Sequence, residues 1–204
     1  MVSEICVYVE GGGNDAQTKA FLRQGFRSLL SDLIVMARDK RVKFQIKACG
    51  PRNQAFNDFL TALQAHPKAF NVLLVDSEDA VSTSPWQHLQ GRDAWQAGHV
   101  NDEHCHLMVR TMEAWLIADL SALNRFYGQG FNENAIPKNP NVEQIDKKTL
   151  LLTLKDATCN TSKGEYHKTR HGFRILEQLE VAKVRHAAPH CDRLFKTLAE
   201  KMNS

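Results

Sequence analysis

Four carboxylates stand directly beyond two apolar runs. Val7-Tyr8-Val9 leads straight into Glu10, and Asn71-Val72-Leu73-Leu74-Val75 leads into Asp76, Glu78 and Asp79. Carboxylates delivered by two strand ends suit a hard divalent cation, Mg²⁺ or Mn²⁺, which takes oxygen ligands and retains waters for a substrate. One or two such ions would neutralise a phosphate and activate water. Gly11, Gly12 and Gly13 follow Glu10. They allow close approach of a phosphate to the backbone, and the helix start behind them offers N–H groups. Glu113, set between Met112 and Trp115, is a candidate third ligand. Glu113 and Asp119 on one helix would point roughly 120° apart, so they make no ligand pair.

The surrounding pattern is what could bring those ends together. Ile5 to Val9 reads as a buried strand, and residues 15–38 as one amphipathic helix capped by Asn14 or Asp15. Val42 to Cys49 alternates as a strand with a wetter face, 53–66 reads as a helix, and Asn71 to Val75 as a third strand. A β-α-β-α-β order implies an α/β fold with a mostly parallel sheet flanked by helices, and ligands beyond the carboxyl ends of its strands. Residues 80–98 read as a long polar loop, 104–109 as a fourth strand, and 111–126 as a helix. A Gly/Asn/Pro-rich stretch marks a boundary. The chain divides into an α/β core at 1–127, a connection at 128–146 and a C-terminal helical subdomain at 147–204, with helices near 147–156, 172–186 and 190–202.

Cations thicken in that last part. Lys163, Tyr166, His167, Lys168, Arg170, His171 and Arg174 suit a phosphate backbone with one base stacked on the tyrosine, hence a nucleic-acid partner. The net charge of +3 is too small to argue the same by itself. His104 and His106 would share a strand face with Cys105 turned away, which reads as a polar face and not as a zinc site. Gly11, Gly13 and Ala16 satisfy a relaxed dinucleotide fingerprint. However, Glu10 would oppose a pyrophosphate, and the second strand ends in Lys47-Ala48-Cys49-Gly50 without an acid for a ribose. A P-loop fails for want of Gly-Lys-Ser/Thr. No apolar run is long enough for a bilayer, no signal-peptide pattern is present, and five scattered cysteines without a CxxC pair point to a reducing cytoplasm.

The paired signature of strand-Glu-Gly and strand-acidic cluster resembles the Toprim core shared by topoisomerases, primases and OLD-type nucleases, over about residues 4–110. Tyr8-Val9-Glu10-Gly11-Gly12-Gly13, Met112 to Asp119, and Lys163-Gly164-Glu165-Tyr166-His167-Lys168 together resemble the DUF4276 family across nearly the whole chain. The resemblance implies a Toprim-like, Mg²⁺- or Mn²⁺-dependent nuclease acting on DNA or RNA. It also implies a partner ATPase of AAA or ABC type in bacterial defence. Glu10 would match the acid/base glutamate, and Asp76 and Glu78 the metal aspartates. Glu78 departs from the expected Asp, unless Asp79 serves by a one-residue shift. The alternative is a Toprim-shaped binding subunit that does no chemistry.

Overall fold

The computed structural model describes residues 2–96 and 98–203. Four strands, β1 (Glu4–Glu10), β2 (Lys43–Gly50), β3 (Phe70–Asp76) and β4 (Cys105–Met108), form one all-parallel sheet in the order β2-β1-β3-β4. The chain leaves β1 to one side for β2 and crosses to the other for β3. The crevice between β1 and β3 is therefore the topological switch point, where open parallel sheets take ligands.

The alternation of side chains along the strands separates two cores. Ile5, Val7 and Val9 join Phe70, Val72 and Leu74 on one face, whereas Cys6, Tyr8, Leu73 and Val75 serve the other. The second face is covered by α3 (Arg52–Ala65) and α4 (Pro85–Asp93) through Phe59, Ala62, Trp86 and Leu89. The first is covered by α1 (Ala16–Leu29), α2 (Ser31–Asp39), α5 (Glu113–Ile117), α6 (Leu120–Tyr127), α7 (Lys147–Thr158), α8 (Phe173–Leu176), α9 (Val181–Ala187) and α10 (Pro189–Asn203). The helices of residues 147–204 thus share one apolar core with the sheet. Among the described residues, no helix is long and apolar enough to cross a membrane.

Four expected elements differ. The helix expected over 172–186 stops at Leu176 and resumes at Val181 beyond an extended Glu180, giving α8 and α9. The helix expected over 15–38 breaks at Leu30, which caps α1 and opens α2 (φ −96°, ψ 17°), so that Leu29, Leu30 and Leu33 are all buried. The helix expected over 111–126 breaks at Asp119, whose side chain accepts from the Ala122 N–H at 3.2 Å and caps α6. The stretch expected to be a loop over 80–98 contains α4. Ser84 and Gln87 cap it reciprocally and Pro85 occupies its first turn, a start signal present in the sequence.

Candidate functional site

Glu10 and Asp76 end adjacent strands, in a ladder that runs in register to Val9 opposite Leu74. The backbone N–H of Asp76 donates to Glu10 Oε2 at 3.2 Å. Arg52, the first residue of α3, donates to the same oxygen at 3.0 Å and also to the Asp76 carbonyl. Its other nitrogens bind both carboxylate oxygens of Asp93, at 3.1 and 2.6 Å. Trp95 lies 4.9 Å beneath the guanidinium and stacks on Phe56. Arg52 therefore fixes the two strand ends to each other and to α4.

Asp76 is 3% exposed. Its Oδ1 accepts from the Met112 N–H at 2.8 Å and its Oδ2 from Lys168 Nζ at 2.9 Å. Glu78 sits at φ 67°, a left-handed conformation that a glutamate adopts at a cost of roughly 1 kcal/mol or more. The backbone holds it there: its N–H donates to the Arg110 carbonyl at 2.9 Å, and Ser77 N–H donates to Met108 O at 2.9 Å. From this position the Glu78 carboxylate reaches the strand ends. Carboxylate oxygens of Glu10, Asp76 and Glu78 all lie within 4.8 Å of one another. Lys147, from α7, ion-pairs with Glu78.

The remaining expected acids fall outside this cluster. Asp79 is 72% exposed and faces Arg92 at 3.5 Å, so Glu78 and not its neighbour joins Glu10 and Asp76. Glu113 lies behind Lys168 and is buried. Its Oε1 accepts from the Tyr166 hydroxyl at 2.9 Å, and its Oε2 is 3.6 Å from Lys168 Nζ without a hydrogen bond. Asp119 caps α6 and accepts from Glu180 N–H and Lys183, away from the centre.

Tyr166 is 4% exposed, with its hydroxyl on Glu113, so its ring is not available to stack a base. Lys168 likewise turns inward. Lys163, Arg170 and His171 line an open cleft instead. The glycines serve the chain itself. Gly11 and Gly50 exchange backbone hydrogen bonds at 2.8 and 3.1 Å, and a Cβ on Gly50 (φ 91°) would lie 2.6 Å from the Gly13 carbonyl oxygen. Asp15 caps α1, accepting from Thr18 N–H at 2.7 Å. His104 bonds Asn71 O at 2.6 Å and His106 bonds Glu103 O at 3.1 Å, which makes them structural polar residues.

Burial sets the electrostatics. It pushes the Glu10 carboxyl up to about 7, helped by the Asp76 charge and opposed by Arg52 and Lys168. Burial also raises Asp76, against the pull of Lys168. For Glu113 burial is outweighed by Lys168, Thr111 and Tyr166, which hold it below the usual carboxylate range. Burial disfavours the Lys168 ammonium, but Asp76 and Glu113 more than compensate and keep it charged.

A family model, described as a domain of unknown function (DUF4276), matches residues 9–199, nearly the whole chain. The chain belongs to the DUF4276 family. No curated protein and no solved structure matches it. The match spans Glu10, Asp76, Glu78, Glu113 and Lys168 alike, so one DUF4276 domain carries every group of the acidic centre.

The donor set of this DUF4276 chain fits a small divalent cation. All three clustered donors are carboxylates, the ligand type that Mg²⁺ and Mn²⁺ take. The unbonded, buried Glu113 Oε2 adds negative charge behind them. Arg52, Asp93 and Lys147 were not singled out in the sequence. Arg52 directly follows the Gly50-Pro51 break after β2, and the first residue of a helix beyond a strand's carboxyl end is well placed to reach a ligand crevice.

Proposed function

We propose that the chain is a Toprim-like, divalent-cation-dependent phosphodiester hydrolase acting on nucleic acid. The observation that carries the proposal is the convergence of Glu10, Asp76 and Glu78 within 4.8 Å at the switch point of the sheet. Asp76 and Glu78 would hold Mg²⁺ or Mn²⁺. When bound, the ion supplies Lewis acidity toward a phosphoryl oxygen. Glu10 would hold or move a proton at its carboxylate, which burial raises to about 7 in the metal-free chain. Lys168 brings a lasting positive charge between Asp76 and Glu113, where negative charge on a phosphoryl group needs compensation. Arg52 positions Glu10. Five free cysteines agree with a cytoplasmic setting.

A second reading has one observation in its favour. Lys168 on Asp76 and Lys147 on Glu78 place ammonium groups where a cation would sit. This suits a non-catalytic subunit, one that binds nucleic acid or an ATPase of AAA or ABC type. The two readings separate on incubating the chain with plasmid and total RNA in Mg²⁺, Mn²⁺ or EDTA. Divalent-dependent cleavage, absent in folded Glu10→Gln and Asp76→Asn, supports the hydrolase. Cleavage that persists in both variants refutes these residues as its source. Cleavage absent in wild type even with an ATPase partner leaves the binding subunit.

A further inference from the structure

Beside the acidic centre, the first turn of α1 and the π-helical turn Lys168–Gly172 enclose a cleft of about 490 Å³. Its cations are Lys163, Arg170 and Arg174, all exposed. Among the described residues, no carboxylate lies within ion-pair distance of any of the three, and aromatic faces support two of them. Lys163 Nζ lies 5.3 Å over the Phe126 ring, and the Arg174 guanidinium lies 5.2 Å over Phe21. A cation held by a ring and not by a carboxylate keeps its charge uncompensated for a ligand.

His171 completes the cleft as a donor. Its Nδ1 accepts from the His167 backbone N–H at 3.2 Å and lies 3.0 Å from the Tyr127 hydroxyl. A backbone N–H can only donate, so in the neutral ring the proton resides on Nε2. Burial, then the neighbouring cations, depress the His171 pKa and favour that neutral form.

From this composition we infer that the cleft binds an unpaired nucleotide unit of a single-stranded nucleic acid, its phosphates on Lys163, Arg170 and Arg174 and its base against the exposed Arg174 guanidinium and the partly buried Phe21 ring. A duplex surface offers phosphates but keeps its bases stacked and paired. A walled cleft with aromatic supports gains from a base that is already free. Its volume is that of a small-ligand site and not of a duplex groove. The position supports the assignment as well. Arg170 and His171 share one π-helical turn with Lys168, whose ammonium sits on Asp76, and Thr18 lies five residues beyond Gly13. A strand seated in the cleft is thereby delivered to the carboxylates. The inference deepens the proposed hydrolase by naming its substrate class, and rests on that reading only for the delivery.

The test is fluorescence anisotropy of the full chain in EDTA. The probes are a labelled short oligothymidylate and a labelled duplex of the same length. The single strand should bind at least roughly tenfold more tightly, with a log–log salt slope of about −2 for three phosphates. Arg170→Met with Arg174→Met should lower single-strand affinity roughly tenfold and flatten the slope by about 1.4. Lys43→Met, which removes an exposed cation paired with Glu4 at the opposite end of the sheet, should change neither. Circular dichroism and a thermal melt establish that the double variant is folded. Equal affinity for strand and duplex, or an unchanged slope in the folded double variant, overturns the inference. Cleft-dependent strand binding without any divalent-dependent cleavage upholds it while removing the hydrolase. Cleavage with unchanged KM in the double variant removes the cleft while leaving the hydrolase.

Discussion

Replacing Glu10 by glutamine should stabilise the metal-free chain while abolishing its activity. The magnitude comes from the carboxyl's own environment. Burial and the neighbouring Asp76 raise Glu10 from 4.5 to about 7 in the folded chain, a shift on the order of 3 kcal/mol. Between those two values the folded state binds more protons than the unfolded one. Stability therefore falls as pH rises through that window, and the full penalty is present above pH 7. Glutamine carries no such charge. Its side-chain oxygen still accepts from Arg52 and from Asp76 N–H, and Arg52 keeps both oxygens of Asp93, so no buried cation is orphaned. Urea unfolding in EDTA should find Glu10→Gln more stable than wild type by about 2 to 3 kcal/mol at pH 8, with the gap closing toward pH 4.5. Mn²⁺ at one hundred times the wild-type dissociation constant should close most of that gap, because wild type gains about 2.7 kcal/mol and the variant, with one carboxylate fewer, gains less. A variant less stable than wild type at pH 8 in EDTA, or a difference that does not change with pH, would refute this account of the buried carboxylate.

Lys168→Met leaves Asp76 and Glu113 as buried carboxylates without their cation. It should cost about 3 kcal/mol at neutral pH in the same assay, recovered in part by acidification or Mn²⁺. Glu78→Gln should lose divalent-dependent activity at least a hundredfold, by analogy with loss of a preorganised charge. Asp79→Asn, altering an exposed residue outside the cluster, should change activity less than twofold and stability by less than about 0.5 kcal/mol. Gly50→Ala should destabilise by at least about 2 kcal/mol in urea unfolding, because the new Cβ would lie 2.6 Å from the Gly13 carbonyl oxygen at a φ of 91°.

The sheet and the two principal carboxylates were legible because each rests on a local signal. The largely apolar segments Ile5–Val9 and Val72–Val75 read as doubly covered parallel strands, and an acid at the end of each then lies at the ligand edge. Helix breaks were not legible at Leu30, where apolar periodicity runs on without Gly or Pro. That at Asp119 was obscured because an acid in a helical pattern reads equally as surface or cap. The basic stretch shows the limit of composition. Tyr166 and Lys168 share its charge pattern with Lys163 and Arg170, yet the first pair is drawn inward by buried Glu113 and Asp76 and the second stays at the surface. Direction there is set by residues more than fifty positions away. Arg52 and Lys147 escaped notice for the same reason: each is an ordinary helix residue until the fold brings it to Glu10 or Glu78.

The most direct test of the central claim is calorimetric titration of Mn²⁺ into the wild-type chain and into folded Asp76→Asn and Glu78→Gln. The account predicts saturable binding in wild type that is lost or weakened at least tenfold in both variants. Asp79→Asn should bind as wild type. Absence of binding to wild type, or equal affinity in all four proteins, would contradict the assignment of Glu10, Asp76 and Glu78 as a divalent-cation centre.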